Sequence, residues 1–114
     1  MKTTIKATQL EITTPLKEFI KTKIDSLDKN LGKLASKEEI IMKVEIARST
    51  KHHNKGEVYY VELTLNIAKK ILRIEQNGHD VREAIDIAKD RMKNEIEKLK
   101  GSLTSYKKVL SDKE

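Results

Sequence analysis

The chain has 114 residues, of which 37% are hydrophobic and 37% charged, and its 24 Lys and Arg against 18 Asp and Glu give a formal charge of +6. This is one domain's worth of sequence, able to build one modest core under a densely charged exterior, and its basic balance favours a polyanionic partner. The absence of cysteine excludes disulfides, thiolate metal sites and cysteine nucleophiles and suits the cytoplasm. Residues 1–6 contain no apolar signal core and no run approaches the ~20 apolar residues of a membrane span, so neither secretion nor membrane insertion is expected.

Ile5 and Ala7 alternate with Lys6 and Thr8, which predicts a first strand over residues 2–8. Thr14-Pro15 reads as an N-cap followed by proline at the first helical position. Leu16, Phe19, Ile20, Ile24, Leu27 and Leu31 then recur at three- and four-residue intervals, predicting one helix that ends near Gly32. Met42, Val44 and Ile46 alternate with Lys43 and Glu45 in a second strand over residues 40–48. Ser49 to Gly56 holds no apolar residue and reads as an exposed connection. Over residues 58–67, Tyr59, Val61, Leu63, Leu65 and Ile67 share one face of a third strand, and Tyr60, Glu62, Thr64 and Asn66 the other. A turn at Ala68-Lys69-Lys70 leads to a fourth strand through Leu72 and Ile74, ending at Asn77-Gly78. Asp80 and Glu83 have capping-box spacing, and Val81, Ile85, Ala88, Met92, Ile96 and Leu99 carry a second helix that Gly101 is expected to stop.

The expected fold is α+β with the order β-α-β-β-β-α, a four-stranded mixed sheet with two helices packed on one face. A strand-helix-strand unit makes the first two strands parallel, and the remaining connections make a meander. The expected organisation is a domain over residues 1–101 and a basic, flexible tail over residues 102–114.

At about 100° per residue, Arg82, Lys89, Lys93 and Lys100 fall in one line roughly 80–90° from the apolar stripe of the second helix. Arg91 and Lys98 line the opposite flank, with Glu83, Asp86, Asp90 and Glu97 between the two basic rows. On the first helix Lys17, Lys21, Lys23 and Lys29 dominate the polar positions beside Glu18, Asp25 and Asp28. Mixed charges at this spacing can serve only to solvate a helix. If the helices lie side by side, the same residues form a strip that neutralises phosphates and releases counterions, and these ten cations are the candidate RNA-binding residues.

Motifs for other chemistry are missing. No glycine-rich phosphate loop occurs among the four glycines. His52-His53 sits in the polar connection without a third ligand at metal-like spacing, and His79 stands alone beside a helix cap. Asp86 and Asp90 fall on a face expected to be wet, where nothing raises a carboxyl pKa for acid–base work. No cofactor, metal or enzymatic activity is expected. Of the aromatics Phe19, Tyr59, Tyr60 and Tyr106, only Tyr60 on the open sheet face is a candidate for base stacking, so recognition is expected to run through backbone and shape.

Residues 10–29 (LEITTPLKEFIKTKIDSLDK), together with Asp80-Val81-Arg82-Glu83-Ala84-Ile85-Asp86 and the basic helix that follows, resemble the ribosome hibernation promoting factor family, also called ribosome-associated inhibitor. The likeness spans about residues 1–100. It implies a domain similar to double-stranded-RNA-binding domains, without catalytic activity, that docks on the small ribosomal subunit and its rRNA. There it competes with mRNA and the A- and P-site tRNAs and keeps idle ribosomes silent and protected. Lys17, Lys23, Lys29, Arg91 and Lys98 match family positions that are usually basic and face rRNA. Ser26 and Asn94 stand where the family often has a cation, Glu95 where it often has Gln, and Arg82 where it often has Tyr. The Ser49–Gly56 connection is longer than is usual in the family, and its Lys51 and Lys55 could reach RNA. The chain is similar to short members that lack a dimerisation domain. Two other readings stand beside this one. The strip could serve a general double-stranded-RNA-binding module, or the sheet face around Tyr60, Thr64 and Asn66 could bind a protein partner with little dependence on salt.

Overall fold

Period-two alternation becomes four strands, β1 (Lys2–Thr8), β2 (Ile41–Arg48), β3 (Tyr59–Ile67) and β4 (Lys70–Gly78), in the computed structural model, which describes residues 1–37, 39–48, 58–67 and 69–112. The expected Ser49–Gly56 connection and Ala68 lie outside the described residues. The sheet order is β1-β2-β3-β4, with β1 parallel to β2 and both later pairs antiparallel, as expected. Register decides which face is buried, because each one-residue step flips the side chain across the sheet. Val44, Leu63 and Ile74 are cross-strand neighbours on the buried face, and Lys43, Thr64 and Arg73 are neighbours on the open face.

The first helical region differs from the single helix that spacing predicts. Helix α1 spans Thr14–Asp25, and its N-cap is Thr13, whose extended backbone lets Oγ1 accept the Leu16 N–H at 3.3 Å. Pro15 therefore sits one residue inside the helix start, still among the leading N–H positions that have no intrahelical acceptor. The helix ends before Leu27 because Ser26 Oγ donates to the Lys23 carbonyl at 2.5 Å and the Leu27 N–H turns to the Ile24 carbonyl at 3.0 Å, a tighter turn. A short α2 (Asp28–Leu31) continues the stripe, so Leu27 and Leu31 are still fully buried. Gly32, at φ 55°, closes it in a conformation that a side chain would resist. A further short helix, α3 (Leu34–Lys37), precedes β2.

Asp80 Oδ1 accepts the Arg82 N–H at 2.7 Å and opens α4, which spans Val81–Asp112. Gly101 does not stop it, contrary to expectation. Glycine ends a helix readily when it must itself turn left-handed, but in an exposed helical position it costs only about 1 kcal/mol against alanine. At its 32 residues α4 is about 48 Å long. The molecule's longest dimension is 58 Å. No helix among the described residues is long and apolar enough to cross a membrane.

The core joins the two helical stripes to the inner sheet face. Leu16, Ile20 and Ile24 of α1 and Ile85, Ala88, Met92 and Ile96 of α4 meet Met42, Val44, Ile46, Val61, Leu63 and Leu65. No buried polar or charged residue interrupts it among the described residues.

Two substitutions test this account. Ile20, with no exposed surface, should cost about 2–5 kcal/mol when cut to alanine, read as a lower urea midpoint at unchanged m value. Gly101→Ala should do the reverse, because nothing lies within 4 Å of an added Cβ. A gain of about 0.5–1 kcal/mol with higher helical circular dichroism is expected.

Candidate nucleic-acid interface

The cations of α4 meet α1 because both helices bury their stripes on the same sheet face and run in the same direction. Arg82 lies beside Phe19, Asp86 beside Lys23 and Glu97 beside Asn30, so residue numbers climb together along the seam. Phe19 is half-buried here, and both the Lys23 ammonium and the Arg82 guanidinium stand 5.5 Å from its ring centroid. Such contacts contribute about 0.5–1 kcal/mol each at exposed sites and hold the cations near the ring.

Between these cations stands the Asp86 carboxylate, on a helix face that the spacing predicts to be wet. Asp86 Oδ1 is 3.0 Å from Lys23 Nζ on α1 and 3.4 Å from Lys89 Nζ on its own helix, and Lys89 Nζ is also 2.7 Å from Asp90 Oδ1. The hydrogen bond from Lys23, with the charges of Lys23 and Lys89, holds the Asp86 carboxyl below the usual carboxylate range. Lys89 shifts upward, first through its hydrogen bond to Asp90. Further along, Glu97 accepts from Asn30 Nδ2 at 3.2 Å and pairs with Lys100 at 3.6 Å.

The ten candidate cations thus fall into distinct places. Lys23, Arg82 and Lys89 converge on the seam, and Lys93 and Lys100 extend the same row of α4. Lys29 is exposed on α2, while Lys17 and Lys21 fall on the flank of α1 away from Phe19 and Lys23, outside the seam. Arg91, on the other side of α4, donates to the Glu75 carbonyl at 2.6 Å and to Gln76 Oε1 at 2.9 Å. It straps the helix to β4. Lys98 on the same flank pairs with Glu95 at 3.4 Å. The side-by-side helices expected from the apolar stripes are present, but the strip carries both signs of charge.

Sequence reasoning assigned Phe19 to the core and missed its second role. The Phe19–Lys23 spacing of one helical turn was the available signal. Arg82 reaches the ring from another element, and no local pattern announces that.

The open sheet face carries a second polar cluster. Tyr60 donates its hydroxyl to Glu62 Oε2 at 2.8 Å, Thr64 Oγ1 donates to Glu62 Oε1 at 3.5 Å, and Arg73 bridges Glu62 and Glu75 at 3.0 Å each. Burial and the bond to Glu62 push the Tyr60 hydroxyl up to about 12, and the same bond, followed by Arg73, lowers Glu62. Tyr60, the candidate for stacking, is half-buried and tied down by its hydroxyl.

The Asp86 junction makes a pH prediction. The folded carboxyl releases its proton more readily than an unfolded Asp, whose pKa is about 3.9. Its stabilisation of the α1–α4 seam is therefore present above that value and lost as pH falls through the lower folded one. Carboxyl NMR titration should show Asp86 ionising below the ordinary range, and Lys23→Ala should move the midpoint upward. An unchanged midpoint in that variant would remove Lys23 as the cause.

Comparison with known proteins adds independent evidence. The profile of the family described as Sigma 54 modulation protein / S30EA ribosomal protein matches residues 3–104. The chain is 28% identical over 91 residues to the Ribosome hibernation promotion factor of Deinococcus radiodurans, an overlap of 80% of this chain and 44% of that protein, so it spans under half the length of this curated relative. Among solved structures, the Protein Y N-terminal domain of Thermus thermophilus superposes with a TM-score of 0.69 at 22% identity, covering 87% of this chain and 99% of that one. A ribosomal subunit interface protein from Coxiella burnetii does so with a TM-score of 0.69 at 12% identity, over 89% and 99%. At these identities the superpositions show a shared fold. The family match takes in all four strands and both seam-forming helices, and on it the chain belongs to the Sigma 54 modulation protein / S30EA ribosomal protein family.

Proposed function

We propose that this protein is a ribosome hibernation factor. In this reading it binds the small ribosomal subunit in the channel used by mRNA and by the A- and P-site tRNAs, where it silences and protects idle ribosomes by occupying the decoding region. The observation that carries the reading is the family match over residues 3–104, which contains the whole cationic seam. Its contacts are phosphate contacts from Lys23, Arg82, Lys89, Lys93 and Lys100, with Lys17, Lys21, Lys29, Arg91 and Lys98 as outlying cations. The ribosome-binding surface lies within residues 1–101, and residues 102–112 prolong α4 beyond it. The site of action is the cytoplasm, where ribosomes are.

Electrostatic binding of this kind releases counterions and weakens linearly in log–log salt plots. The chain should co-sediment with purified small subunits at low salt and be displaced as salt rises. Lys29 and Lys93 are exposed, and among the described residues neither has a carboxylate within ion-pair distance. Each alanine variant should weaken binding modestly and lower the salt slope by about one unit. A wild-type chain that stays in the supernatant at low salt sinks the proposal. Excess duplex RNA separates the alternative, because a general duplex binder would be stripped from subunits readily and a dedicated ribosome factor would not.

A further inference from the structure

The middle of the basic row is electrically neutral. Lys23 and Lys89 contribute two ammonium groups, and Asp86 and Asp90, both within 3.4 Å of at least one of them, contribute two carboxylates. The Lys89 side chain is only 18% exposed. Among the described residues neither Arg82 nor Lys93, on either side, has a carboxylate within ion-pair distance, and Lys100 is again paired, with Glu97 at 3.6 Å. A surface that bound phosphates through charge alone would not place carboxylates where the two helices bring their lysines together. A phosphate reaching Lys23 or Lys89 meets Asp86 and Asp90 at the same point, and like charges in contact oppose binding.

We infer that Asp86 and Asp90 are specificity-determining residues of the seam, which screen Lys23 and Lys89 from generic polyanions and reserve the site for folded RNA that presents unpaired base amino groups beside its phosphates. Amino groups of unpaired adenine, guanine or cytosine donate hydrogen bonds that a carboxylate accepts. Folded RNA of this kind offers partners to both signs on the seam. A regular A-form duplex shows 2′-hydroxyls and the guanine amino edge in its shallow minor groove, but holds its adenine and cytosine amino groups in a deep, narrow major groove that side chains do not reach. The inference rests on the proposed ribosomal function for its natural partner, but the screening itself is measured on plain duplex RNA.

The test compares the full chain with Asp86→Asn, Asp90→Asn and the double variant, using a regular RNA duplex and purified small subunits as two separate probes at equal salt. Glu11→Gln, an exposed carboxylate outside both helices, makes the same change in net charge as each single variant and serves as their control. Each seam variant should raise duplex affinity about two- to fivefold, the size of an exposed ion pair. Affinity for small subunits should stay level or fall, so the ratio between the probes collapses in the double variant and holds in the control. Equal rises for both probes would reduce the effect to net charge and overturn the inference. So would duplex affinity that does not rise. Thermal unfolding checks that the α1–α4 junction survives, and Asp90→Asn, whose ion pair is with Lys89 of the same helix, keeps the question answerable if Asp86→Asn loosens it. Failure of the wild-type chain to sediment with small subunits is a different result and strikes the proposed function, since the duplex comparison does not depend on it.

Discussion

Two apolar stripes competing for one sheet face constrain everything else in this molecule. The inner face of β2, β3 and β4 is lined by Met42, Val44, Ile46, Val61, Leu63, Leu65 and Ile74, and no side chain on that face can be satisfied by water. Burying α1 and α4 there together forces them side by side, and the parallel run of the two helices matches Phe19 with Arg82 and Lys23 with Asp86. The charged seam is thus a consequence of where hydrophobic surface goes. Its own electrostatics, between partly exposed groups that water still screens, are too weak to determine helix position.

Within the seam, the arrangement resembles a mosaic more than a basic patch. Five charged groups on α1 and α4, Lys23, Arg82, Asp86, Lys89 and Asp90, mix both signs over a few turns, with Phe19 as an apolar floor beneath two of the cations. Long lysine side chains lose considerable rotamer freedom when held in place. Pairing them with Asp86 and Asp90 before any partner arrives orders them in advance, and the reduction in net charge is the cost of that order.

The remaining faces are built differently. Arg91 closes the β4 side by donating to a main-chain carbonyl of the edge strand, which occupies a group that another strand would otherwise seek. On the open face, Arg73 sits opposite Thr64 and bridges two carboxylates, while Tyr60 completes the ligation of Glu62. Glu45, Glu62 and Glu75 are cross-strand neighbours, a like-charge row that would be unfavourable without such a bridge. Ile71, 68% exposed, stands at the end of this face near the start of β4.

Much of the architecture is legible in the chain itself, because alternation at period two and recurrence at three and four residues are local signals that burial reads directly. All four strands, their faces, and the stripes of α1 and α4 follow from them, as do the parallel first pair and the meander. Local signals failed where a competing hydrogen bond or a marginal preference decided the outcome. Ser26 turned one helix into two, Thr13 took the cap expected of Thr14, and Gly101 was carried through by the helix on either side of it. The candidate cations were also legible as residues, and the two basic rows of α4 lie on the flanks that spacing gives them, whereas Lys29, expected on the first helix, lies on α2. Which of them meet was decided by tertiary structure alone. Lys23 joins Asp86 and Lys89, Lys17 and Lys21 fall outside, and Arg91 binds the sheet. Sequence spacing specifies angles around one helix axis, whereas contact between two helices depends on their separation, direction and axial offset, which only the shared core sets.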